Sequence, residues 1–154
     1  MDRRSLLACL SCSTLAVSGC LSVSGSPSSD ESTVDLPSDP DDPVARSVIG
    51  STAESPHRVR VWNLDDDRHT VELRIESDDG SAVTGTYTLE SEAHVAVFLG
   101  DEAEYEVSVA VDDTDLEAPD IDASSFDDPC PATELVVLGP DDLEVTEESD
   151  ADHC

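Results

Sequence analysis

The 154-residue chain contains no lysine, and its seven basic residues are all arginines: Arg3, Arg4, Arg46, Arg58, Arg60, Arg68 and Arg74. They stand against 37 aspartates and glutamates, for a formal net charge of −30. Such a field repels phosphate, which argues against nucleic-acid binding and against direct adhesion to anionic headgroups. Aromatics are scarce: Trp62, Tyr87, Phe98, Tyr105 and Phe126 are all there are, so any core is small and built mainly of valine. The one methionine is Met1, which leaves a blue-copper site without its usual axial ligand. There is no Gly-x-Ser-x-Gly, no phosphate-binding glycine loop and no His-Glu-x-x-His frame. No stretch of helical period matches the quality of the alternating runs described below.

What is there begins with the address. Arg3-Arg4 precede a short run of apolar and small residues, 5–19, which ends in Val17-Ser18-Gly19-Cys20. That run is shorter and milder than the roughly 20 apolar residues of a membrane span and suits the apolar core of a cleaved export signal. The arginine pair resembles a twin-arginine signal, and the small residues before Cys20 resemble the lipobox of lipoproteins. Those resemblances imply export, removal of residues 1–19, a lipid on Cys20 and a place on the outer face of the cell membrane. Without the leader, 36 acids face five arginines. At molar salt the Debye length falls to roughly 3 Å and screens that repulsion. A lysine-free, carboxylate-covered chain of this kind resembles proteins of salt-loving archaea.

Residues 20–56 read as a lipidated cysteine and a disordered linker rich in Ser, Asp and Pro, with Pro27, Pro37, Pro40, Pro43 and Pro56 breaking regular structure. A flexible coil of that length spans roughly 30–36 Å. Within it, the segment 44–50 is a candidate short strand. From His57 onward alternation takes over. Residues 57–64 place Val59 and Val61 on one face and Arg58, Arg60 and Trp62 on the other. Residues 69–76 put Val71, Leu73 and Ile75 inward. Asp79-Gly80 signals a type I′ hairpin, and 82–90 follow with Gly85 as a candidate bulge. Further strands are expected at 93–100, 104–111 (Tyr105, Val107, Val109 and Val111 inward), 134–138 and 143–146. Short alternating strands with polar turns predict an all-β, antiparallel sandwich of about seven strands over 57–154, each sheet wet on one face.

Residues 101–107, Asp-Glu-Ala-Glu-Tyr-Glu-Val, are similar to the Asp-x-Gly/Ala-x-Tyr-x-Cys run of immunoglobulin-like domains. The resemblance implies a tyrosine corner, with the Tyr105 hydroxyl bonded to backbone upstream. Val107 stands where the family has its cysteine, so the usual inter-sheet disulfide is absent. Cupredoxin-like and carboxypeptidase-regulatory-type sandwiches stay open as alternatives.

Cys9 and Cys12 leave with the leader and Cys20 goes to lipid, so Cys130 and Cys154 remain as an even pair in an exported chain. A bond between them closes a loop of about 25 residues and stabilises by roughly 3 kcal/mol. Residues 112–129 form a long acidic connection whose aspartates match no calcium-loop spacing, so a solvated halophilic loop is expected. His69 and His94 begin strands, where exposed, hydrogen-bonded rings are expected. No catalytic residue, metal ligand set or cofactor emerges. The reading is a lipid-anchored, non-catalytic surface module with an unidentified protein partner; a small copper-carrying cupredoxin-like protein is the alternative.

Overall fold

Val71, Leu73 and Ile75 are buried and Thr70, Glu72 and Arg74 exposed along one nine-residue strand, His69–Ser77. That is the pattern of a strand with one face on a core and one in water. In this computed structural model, which describes residues 34–37, 42–51 and 55–149, all seven expected strands form and two more join them. In chain order they are β1 (Ala45–Ile49), β2 (His57–Asn63), β3 (His69–Ser77), β4 (Ala82–Leu89), β5 (His94–Leu99), β6 (Tyr105–Val111), β7 (Thr114–Leu116), β8 (Pro131–Gly139) and β9 (Asp142–Ser149). Arg3, Arg4, Cys20 and Cys154 lie outside the described residues.

The strands make a two-sheet sandwich. One sheet has the order β1-β5-β2-β8-β9 and the other β4-β3-β6-β7. Val59, Val61, Val95, Val97, Leu99, Leu135 and Val137 of the first meet Val71, Leu73, Ile75, Val107, Val109 and Val111 of the second in one apolar cluster. The first sheet is not purely antiparallel. β1 runs parallel to β5, and β8 parallel to β2.

The candidate strand at 44–50 forms, so the sandwich starts ahead of the expected boundary at His57. Segment 45–49 is strand β1, not linker: Val44 N–H donates to the His94 carbonyl at 2.8 Å, and Ile49 packs in the core. Tertiary pairing with β5 orders a stretch whose composition reads as tether. Gly100 permits the return, because a side chain there would run into the Ser51 carbonyl.

Two turns differ from expectation. At 77–81, Asp79 is not left-handed and Gly80 alone has positive φ (88°). The Gly80 N–H donates to the Ser77 carbonyl and the Ser77 N–H to the Ser81 carbonyl. This is a type I turn closed by a left-handed glycine, the three-residue hairpin loop, in place of type I′. The paired left-handed residues lie instead at Asp112 (φ 48°) and Asp113 (φ 67°), which join β6 to β7 in a two-residue hairpin. The acidic connection therefore opens as a strand. It then pairs Ile121 with Tyr105 and forms a short 3-10 helix, Ala123–Asp127. Phe126 of that helix packs against His57 and Tyr105, at 5.4 and 6.0 Å between ring centroids, and closes one end of the sandwich. Gly85 is no bulge: β4 keeps unbroken register with β3, and the irregularity falls between Val137 and Gly139.

Candidate functional site

The five-stranded sheet is not wet on its outer face. Register places Arg58, Arg60 and Trp62 of β2, His94, Ala96 and Phe98 of β5, and Ala132, Glu134 and Val136 of β8 on the side away from the sandwich core. Trp62, Glu134 and Val136 are each 0 % exposed, and Arg60, His94, Ala96 and Ala132 are buried. The expectation that each sheet is wet on one face is corrected for the centre of this sheet. β8 is buried at nearly every position because it lies between β2 and β9 and carries apolar groups on both faces.

Glu134 organises this layer. Its Oε1 accepts from Arg60 Nε at 2.7 Å and pairs with the Arg60 guanidinium, and its Oε2 accepts from Trp62 Nε1 at 2.7 Å. The indole stacks on the His94 ring, 3.9 Å between centroids and 22° between planes. Burial pushes the Glu134 carboxyl up, against the opposing pull of Arg60 and Trp62. Every described buried side-chain polar atom has a partner, so the layer is a satisfied polar network rather than an exposed reaction centre. Toward the β1 edge the face opens. Arg46 is exposed and lies over the Phe98 ring at 5.0 Å, Val48 is 49 % exposed, and Phe98 and Arg58 are half-exposed. Three of the five described arginines thus share one face of one sheet.

His57, His69 and His94 are buried, not exposed. His57 faces inward. The Ser125 hydroxyl donates to the Asp122 carbonyl at 2.7 Å, so His57 Nδ1 donates to Ser125 Oγ at 3.3 Å. Nε2 then accepts from the Thr133 hydroxyl at 2.8 Å. Burial, helped by the Arg58 charge, lowers this ring to about 4, so it stands neutral. A serine that spends its proton on a main-chain carbonyl beside a histidine with no carboxylate partner is not an activated nucleophile. His69 is built oppositely. Its Nδ1 meets Asp112 Oδ2 at 2.6 Å and its Nε2 meets Asp65 Oδ2 at 2.7 Å. Burial pulls its pKa down, but the bonds to both carboxylates more than offset that and the net shift is up. The carboxylates lie on opposite sides of the ring and do not converge on a common point. Among the described residues no three His, Cys, Asp or Glu side chains come together to hold a metal ion, and none of this favours the copper-carrier alternative.

The tyrosine corner is present. Tyr105 Oη donates to the Asp101 carbonyl at 2.8 Å. With two packed sheets and this corner in place, the comparison with known families is decisive: the model of the halobacterial Ig-like domain matches residues 67–146. The chain belongs to the halobacterial Ig-like domain family. No curated protein and no solved structure matches it. The matched stretch runs from the β2–β3 turn into β9, so β1 and β2, with Arg60 and Trp62, precede it. In this Ig-like domain the one tryptophan lies outside the core that the sheets share.

Sequence reading missed three residues. Glu134 was indistinguishable among 37 acids. Asn63, fully buried, donates to the Asp67 and Leu89 carbonyls and accepts from the Asp65 N–H, tying the β2–β3 turn to the end of β4. Asp112 looked like solvated loop; its signal was Asp112-Asp113, a pair that tolerates left-handed backbone better than most residues do. Of the expected site residues, Cys130 is buried at the entry to β8. Cys154, its expected partner, and Arg3, Arg4 and Cys20, the residues expected for export and lipid attachment, fall outside the described set. Among the described residues, no helix is long and apolar enough to cross a membrane.

Proposed function

We propose that this Ig-like domain is a non-catalytic interaction module, exported by a twin-arginine signal and fastened outside a salt-adapted cell by a lipid on Cys20. It meets an acidic protein partner through the outer face of the five-stranded sheet, around Arg46, Val48, Arg58 and Phe98. The observation that carries this reading is the gathering of cationic and apolar side chains there, on a chain whose net charge is −30. On the β1 side of that face an acidic protein meets Arg46 and Arg58, while the face's own carboxylates, Glu144 and Glu148, stand on β9 at the opposite edge. The buried Arg60–Glu134–Trp62–His94 layer gives the patch a rigid floor.

The Cys130–Cys154 bond belongs to the same proposal. β9 returns antiparallel along β8 until Ser149 stands opposite Pro131, next to Cys130. Cys154 follows only five residues later, and the Cys130 sulfur is engaged rather than free. Such a bond locks the end of β9 to the start of β8.

The test is a photo-crosslinking residue at Val48, compared with one at Glu72 on the outer face of the other sheet, in intact cells at molar salt. A discrete protein adduct at 48 but not at 72 supports the reading. Equal labelling, or none, refutes it. Cys20→Ser tests the anchor separately: the protein should leave the membrane fraction, and unchanged sedimentation refutes the lipid.

A further inference from the structure

An exposed strand edge is a template for pairing, and proteins usually guard it with charge, shortness or a bulge. Four strands are edges among the described residues: β1, β9, β4 and β7. β9 carries Asp142, Glu144, Glu147 and Glu148, β7 is three residues long and holds Asp115, and β1 is five residues long and holds Arg46. β4 has none of these guards. Its eight residues, Ala82–Leu89, include no charged side chain, although the chain holds 37 acids.

The free side of β4 is also fully formed. The bond from Ser77 N–H to the Ser81 carbonyl sets the parity of the ladder. By alternation, Val83, Gly85, Tyr87 and Leu89 bond to β3, while Ala82, Thr84, Thr86 and Thr88 turn both N–H and C=O away from it. The side chains of those four are exposed as well. No register shift twists the edge out of plane. Tyr87 folds its ring over Gly85, filling the space that glycine leaves on the inner side.

We propose that β4 pairs antiparallel with β4 of a second copy of this chain, joining two four-stranded sheets into one across a two-fold axis at Gly85. In that register Thr84 faces Thr86 of the second copy and Ala82 faces Thr88. All four outward residues of each strand then donate and accept. The occupant is a second copy because of charge. Two surfaces of the same sign repel wherever carboxylates meet, and β4 is the one long edge along which two copies pair without facing acids. Threonine opposite threonine is a favourable cross-strand pair. Asp79 and Glu90 at the strand ends add repulsion only at the rims, so association strengthens with salt. The contact is isologous and closes at two copies.

Sedimentation equilibrium of the full chain in about 3 M KCl tests it. The expected mass is twice the 16.3 kDa of one chain, with weaker association at lower salt. Thr86→Pro removes an outward N–H and leaves the bonds to β3 alone. Thr86→Glu places a charge beside the axis without touching the backbone, and keeps the test open should the proline variant fail to fold. Each should weaken self-association by about tenfold or more with an unchanged circular dichroism spectrum. A wild-type monomer at high protein concentration overturns the proposal, as does a dimer of unaltered strength in folded Thr86→Pro or Thr86→Glu.

Discussion

The Tyr105 hydroxyl donates to the main-chain oxygen of Asp101, 2.8 Å away and four residues upstream, across the turn between β5 and β6. The same aspartate accepts from the Ser51 hydroxyl at 2.6 Å through its carboxylate. One residue thus ties the β5–β6 turn to the chain leaving β1, while the tyrosine ring packs into the core beside Phe126.

Tyr105→Phe removes the hydroxyl and keeps the ring. A net loss of about 1 kcal/mol is expected, with the fold intact. For a domain of this size that lowers Tm by roughly 4–8 °C. Thermal denaturation in molar KCl measures it, and an unchanged Tm would show the corner to be energetically idle.

Arg60→Met leaves Glu134 buried without its cation and should cost about 3–5 kcal/mol. The double change Arg60→Met with Glu134→Gln should recover most of that, because the buried charge is gone while a neutral amide oxygen still accepts from the Trp62 indole. The cycle is read from urea midpoints. A double variant as unstable as the single one contradicts this account.

The histidines set opposite limits on pH. His57 is lowered to about 4 from an ordinary 6.5, so its stabilising effect is complete above 6.5 and is lost as pH falls from 6.5 through 4. The full effect is on the order of 3 kcal/mol. His69 is raised by its two carboxylates, so its effect is complete below 6.5 and is lost as pH rises through its folded value. Tm against pH should peak between the two. His57→Gln should flatten the acid limb and His69→Gln the alkaline limb; single variants that both retain the wild-type profile would exclude these rings as the cause.

A net charge of −30 makes stability depend on salt. The β signature in circular dichroism and the Tm should both fall on dilution from about 3 M to about 0.1 M KCl, as the Debye length grows to roughly 10 Å. Equal curves at the two salts would remove self-repulsion as a factor.

Strands with one wet face announced themselves. β3 alternates without fault and β6 does so as far as Val109, and their inward residues are the ones found in the core. Turn geometry was half legible: Gly80 marked a hairpin, but the choice between turn types followed from strand register rather than from the dipeptide. β1 was the hardest to see, because ARSVI becomes a strand by pairing with β5, fifty residues away in the chain. Glu134 was invisible as a site because a buried carboxylate and a solvated one are the same letter.

Local order along the chain was enough to determine the sandwich and the core-facing residues of its strands. Alternation, charge and turn chemistry are properties of neighbours in sequence. Only the tertiary structure decided that β8 enters beside β2, which brings Glu134 against Arg60 and Trp62. The same ordering left β4 at an edge. Desolvation and long-range pairing depend on which strands become neighbours in space, and no residue carries that information alone.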